Sequence, residues 1–184
     1  RLVGRLGGRA RLVVEVPSDK EMLHRVLGLS RDEYAAIAAV TAPVDGSRAP
    51  GTPIHVFVNP EVYGDLDPVA SQVVMTHEAV HAVTGAVSAA GMPLWLVEGF
   101  ADYVALRDVA LPIEQTAGQI LKQVRDDGPP AALPSDVSFD PGANHLGAIY
   151  EAAWQVCVTL ATTGGEAALV RLYSSVRDGG ALGD

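Results

Sequence analysis

The apolar residues of this chain follow two spacings, and these divide it into a front of short extended runs and a longer helical remainder. Arg11-Leu12-Val13-Val14-Glu15-Val16 is rich in β-branched residues and halts at Pro17, which predicts a strand of about six residues. Ile54-His55-Val56-Phe57-Val58-Asn59 has the same character and halts at Pro60. A small sheet needs a further strand, which the pattern does not place. Between the two runs, Ser18 with Glu21 and Ser30 with Glu33 repeat the S-x-x-E capping pattern. That pattern predicts two short helices, separated by Gly28. Ala42 to Pro53 is rich in Pro, Gly, Asp and Ser and predicts a loop.

From Asp67 onward the pattern turns helical. Asp67-Pro68 suits a helix start, with the carboxylate as cap and proline where its missing amide costs nothing. This helix is expected to run to about Thr84, where Gly85 fits a left-handed stop. Its stretch from Val69 to Val83 is apolar on most faces, which predicts burial. Pro93 opens a helix through about Arg107, and another runs from Pro112 to about Arg125. Asp126 to Ala143 reads as loop. A long apolar helix follows from about Asn144 to Thr163, ends at Gly164-Gly165, and precedes a last helix from Glu166 to about Arg177. The expected fold class is α+β, a small N-terminal sheet packed on a mainly helical body.

Length changes the picture little: 184 residues suit one domain, 1–184, able to bury its own core. The sequence opens on an arginine without a methionine, so it is expected to be a piece of a longer chain. Charge narrows the partners. A net charge of −9 gives no basic face for counterion release from phosphates, so no nucleic-acid partner is expected. Arg1, Arg5, Arg9 and Arg11 read as a solvated segment. No apolar run reaches the eighteen or so residues that cross a bilayer, so no membrane contact by this segment is expected. Cys157 is the one cysteine, which excludes an intrachain disulfide and a cysteine-rich zinc site. Within an Ala- and Val-rich helix it reads as a core residue.

The chemistry concentrates in Thr76-His77-Glu78-Ala79-Val80-His81. The HExxH spacing puts two imidazoles about one turn apart on one helical face, where a single ion can take both. Glu78 follows the first imidazole and is placed to take a proton from a water activated by the metal. Two histidines and a glutamate are costly to bury in an apolar helix unless paired or liganded, and a metal supplies the reason for them. His24 and His55 lack any ligand spacing to this pair and read as a helix surface and a strand face.

Downstream, Leu94-Trp95-Leu96-Val97-Glu98-Gly99-Phe100-Ala101-Asp102-Tyr103 resembles the WLxEGxAxY segment of gluzincin peptidases, the HExxH…E zinc metallopeptidases with a zincin-like, thermolysin-like catalytic domain. The resemblance spans roughly Ile54 to Arg177 and is strongest at His77 to His81 and Trp95 to Tyr103. It implies one Zn2+ per chain, with His77, His81 and Glu98 as metal ligands, the three-ligand set of a catalytic zinc with one open position. Glu78 is then the general base of a metallopeptidase whose substrate is a peptide or protein. Asp102, four residues after Glu98, would accept a hydrogen bond from the other ring nitrogen of His77 or His81. For the oxyanion donor there are two candidates: Tyr150, as in the aminopeptidase branch, and His145, as in the thermolysin branch. The resemblance also implies that Ile54 to Asn59 is an edge strand that pairs with extended substrate, and that the longer chain is exported or membrane-tethered.

The metzincin pattern is set aside, because Thr84 and Val87 stand where it needs Gly and His. There is no GxMEN segment, so exopeptidase activity does not carry over, and the chain is shorter than most members. The alternative of another class is a catalytically inactive module that binds zinc or peptide. A third, an accidental motif on a helical scaffold, predicts no metal.

Overall fold

The structure, a computed structural model, describes residues 11–18, 37–47, 51–140 and 145–182. The two helices expected after Pro17, with Gly28 and His24, lie outside the described residues, as do Arg1, Arg5 and Arg9. The fold is α+β, with a small three-stranded sheet and, among the described residues, seven α-helices. The chain forms two compact units, Arg1–Ala89 and Ala90–Asp184.

The first unit holds the strands β1 (Val14–Glu15), β2 (Ala39–Pro43) and β3 (Ile54–Val58), in the order β1-β3-β2. β1 runs parallel to β3 and β2 antiparallel to it, with Thr41 opposite Val56. The strand that the sequence could not place is β2. Its last two residues, Ala42 and Pro43, fall inside the stretch expected as loop, where proline and glycine composition masks a short strand.

β3 is the central strand, hydrogen-bonded on both sides. This corrects the expectation that Ile54 to Asn59 is an edge open to substrate, since an added strand needs unpaired backbone groups. His55 on β3 bonds through Nδ1 to the Glu15 carboxylate of β1, which accounts for it without a metal.

Asn59 and Pro60 end β3 and also start a short helix, α1 (Pro60–Tyr63), whose Glu61 amide donates to Asn59 Oδ1. The next helix, α2 (Pro68–Thr84), has the expected bounds. Asp67 Oδ1 accepts from the amides of Val69 and Ala70, each at 2.8 Å, and Gly85 closes it at φ 66°. Burial departs from expectation. The buried residues of α2 are Glu78, Val80, His81 and Thr84, while Val73, Val74, Ala79, Ala82 and Val83 are half-buried and Val69 is exposed. The inner face of this helix is therefore as polar as its sides. Ala39, Val56 and Val58 form the core between sheet and helix, packed by Tyr63, Val74, Met75 and Ala82.

The second unit is helical: α3 (Leu94–Leu106), α4 (Ile113–Thr116), α5 (Gly118–Asp127), α6 (Leu146–Gly164) and α7 (Glu166–Arg177). The helix expected from Pro112 to Arg125 breaks at Ala117, whose φ −136° and ψ 25° leave the helical region while its side chain is fully buried. The Glu151 carboxylate of α6 then accepts from the Ile120 amide at 2.8 Å, capping a helix whose own N-cap is an alanine. The expected loop 126–143 contains a 3-10 turn, Asp136–Phe139, and Asp136 Oδ1 accepts from the Leu94 amide at 2.8 Å, fixing the first turn of α3.

Phe100 stacks on Tyr173 with ring centres 4.1 Å apart, joining α3 to α7. Leu96, Phe100, Ala101, Ala153, Cys157 and Tyr173 are all fully buried there. Burying a side chain the size of Leu or Phe contributes about 1.5–3 kcal/mol, so this layer sets the position of α3. Among the described residues, no helix is long and apolar enough to cross a membrane.

Candidate functional site

A separation of four residues, about one helical turn, puts His77 and His81 on one side of α2. Their Nε2 atoms lie 2.9 Å apart and the rings meet edge to face, at 79° and 4.6 Å between centres. His81 is buried and His77 half-buried. Two imidazoles therefore turn the same nitrogen to one point. A tetrahedral zinc with bonds of about 2.0–2.1 Å sets its ligands roughly 3.3 Å apart, so a small ring rotation suits the pair to the ion.

Glu98 sits in the second turn of α3, half-buried. The ligand atoms of His77, His81 and Glu98 all lie within 4.8 Å of one another, close enough to hold a metal ion. Two nitrogens and one carboxylate oxygen form a set that zinc accepts.

Packing accounts for the other marked residues of Trp95 to Tyr103. Trp95 and Ala101 are buried. Gly99 faces the backbone of α6 so closely that a Cβ there would stand 2.3 Å from the Ala153 carbonyl oxygen. Tyr103 donates through its hydroxyl to Glu166 Oε2, which also takes Arg107 Nη1 at 2.9 Å. Burial and the Glu166 charge push the Tyr103 hydroxyl above its ordinary pKa. Asp102 lies one turn beyond Glu98 and is half-buried. Its charge adds to burial in raising the Cys157 thiol to about 12, which places it within electrostatic reach of α6. Cys157 is fully buried, as its apolar setting predicts.

Both oxyanion candidates lie at the start of α6. His145 is exposed and takes a left-handed backbone, φ 67°, as the cap of a helix that begins at Leu146. Tyr150 is half-buried, its ring edge-to-face with Phe139 at 5.3 Å.

Thr41 was not visible as a site residue from sequence. Its Oγ1 is 2.7 Å from Glu78 Oε2 and 2.9 Å from the Glu78 carbonyl oxygen, and both residues are buried. The one available signal was the β-branched pair Val40-Thr41 within an alanine-rich run, which hints at a strand and says nothing of its partner.

Comparison of the chain with protein-family models, with curated proteins and with solved structures finds no match.

Proposed function

We propose that this chain is a zinc-dependent metallopeptidase that hydrolyses peptide bonds with Glu78 as general base. The observation that carries the reading is the convergence of His77, His81 and Glu98 within 4.8 Å, since Glu98 comes from a different motif than the two histidines. The resemblance of Trp95 to Tyr103 to the gluzincin segment supports it independently of the geometry.

His77 Nε2, His81 Nε2 and a Glu98 oxygen would be the ligands. When bound, the zinc supplies Lewis acidity, polarising the scissile carbonyl and making a water acidic enough to act near neutral pH. Glu78 accepts the proton of the attacking water on its carboxylate and hands it to the departing amine nitrogen as the C–N bond breaks. Tyr150 donates its phenolic hydrogen to the carbonyl oxygen as negative charge grows there, and His145 is the other candidate for that role. Asp102 would hold a ligand imidazole in its tautomer, as the resemblance implies.

The test is metal content by elemental mass spectrometry, together with turnover of a peptide library. Wild type is expected to carry near one zinc per chain, and His77→Ala and Glu98→Ala are expected to lose it. Glu78→Gln is expected to keep the zinc and lose hydrolysis by roughly 100-fold or more. Zinc retained in wild type with no peptide cut would favour a zinc-binding module without activity. No zinc, even after adding it back, would make the motif an accident.

A further inference from the structure

Helical geometry puts Val74, Glu78 and Ala82 in one row, four residues apart. Val74 and Ala82 pack against the sheet, so the row that carries them lies over β2 and β3. A carboxylate in the middle of that row meets a surface otherwise made of Ala39, Val56 and Val58. At 8% exposure it has lost most of its water, and a carboxylate so placed needs a donor. β2 provides one, because alternation along the strand turns Thr41 to the same face as Ala39.

We infer that Thr41 is the positioning residue of the general base. The inference rests on the hydrolase reading and adds to it a part that the HExxH motif does not contain. Thr41 Oγ1 reaches two atoms of the same residue, the Glu78 carbonyl oxygen and Oε2. One point held against both ends of a residue fixes how its side chain leaves the helix. Oε2 is engaged in this way, and Oε1 is the oxygen left to receive the proton of the attacking water.

The hydroxyl serves both forms of the base. With Glu78 ionised, Thr41 donates its hydrogen to Oε2. Once Glu78 has taken a proton, the same hydrogen turns to the Glu78 carbonyl oxygen, and a lone pair of Oγ1 remains on the carboxyl side. No proton leaves Thr41 in either state. The β-branched side chain limits χ1, so the hydroxyl is held in place by its own strand.

The experiment compares wild type with Thr41→Val, which keeps the shape and removes the hydroxyl, and Thr41→Ser, which keeps the hydroxyl. Glu78→Gln is the reference. Steady-state kinetics on a fluorogenic peptide found in the library screen are measured beside zinc content. The difference infrared spectrum against Glu78→Gln isolates the Glu78 carboxylate stretch in metal-free protein.

Thr41→Val is expected to shift that stretch and lower kcat by roughly 10- to 100-fold with KM and zinc content unchanged, because the base is displaced and the ligands are not. Thr41→Ser is expected to restore most of the rate. Wild-type kcat in Thr41→Val, an unshifted stretch, or a loss that serine does not rescue overturns the inference while leaving the hydrolase reading in place. If Thr41→Val does not fold, a Thr41→Ser protein with wild-type kcat and stretch supports the inference, and one with a reduced kcat overturns it. Full activity in Glu78→Gln overturns the hydrolase reading itself, and the role of Thr41 with it.

Discussion

Burial and a neighbouring charge act in the same direction on Cys157. Loss of water around the thiol is the larger cause and the Asp102 carboxylate the smaller, and together they push it up to about 12 from an ordinary 9.0. The thiolate is the reactive form, so the folded protein at pH 8 is expected to resist thiol reagents and the unfolded protein to react fully. Labelling followed by intact mass spectrometry, with and without denaturant, checks this; native labelling as fast as that of a small free thiol would contradict the burial. The linkage has a definite sign. Folding favours the neutral thiol, so the contribution of Cys157 to stability is whole below about pH 9 and is lost as pH rises towards 12.

Among the elements, α3 makes a contact with α6 that only glycine allows. A Cβ at Gly99 would meet the Ala153 carbonyl oxygen at 2.3 Å and its carbon at 2.6 Å, backbone atoms that cannot rotate away. Gly99→Ala must therefore push α3 from α6. The expected cost is about 1–3 kcal/mol, partly offset by alanine's better helix propensity, and is read from chemical denaturation. Because Glu98 is the adjacent residue, zinc affinity is expected to fall as well; a variant as stable as wild type would show that the two helices yield without strain. The glycine of the segment was legible as a motif, but its reason lies in a contact between residues fifty-four positions apart, which no local pattern encodes. The same distinction runs through the fold. Asp67 and Gly85 announced α2, since caps are local signals and both are in place. The break at Ala117 was hidden, because it is set by burial of that side chain and by the Glu151 carboxylate of another helix. Thr41 was hidden for the same reason. A sequence pattern gives the spacing of His77, Glu78 and His81, whereas the strand register of β2 on β3 decides which residue reaches the carboxylate.

For the molecule as a whole, the question is whether zinc is a component or an adherent. The chain has 22 Asp and Glu against 13 Lys and Arg, and such a surface gathers divalent cations weakly without any site. Thermal stability separates the two. An ion that binds only the native state stabilises it by RT ln(1 + [L]/Kd), about 2.7 kcal/mol at a hundred times Kd. For a chain of this length that corresponds to a rise of about 5–10 °C in Tm on adding zinc to chelator-treated protein. The rise is expected to vanish in His77→Ala and in Glu98→Ala, each of which removes one ligand and leaves the acidic surface nearly unchanged. Calcium and magnesium at equal concentration are expected to give little or none of it. They are hard ions that prefer oxygen donors, and two of the three donors here are imidazole nitrogens. A shift that calcium reproduces, or that survives both substitutions, would assign the binding to surface carboxylates and leave HExxH without a metal to serve.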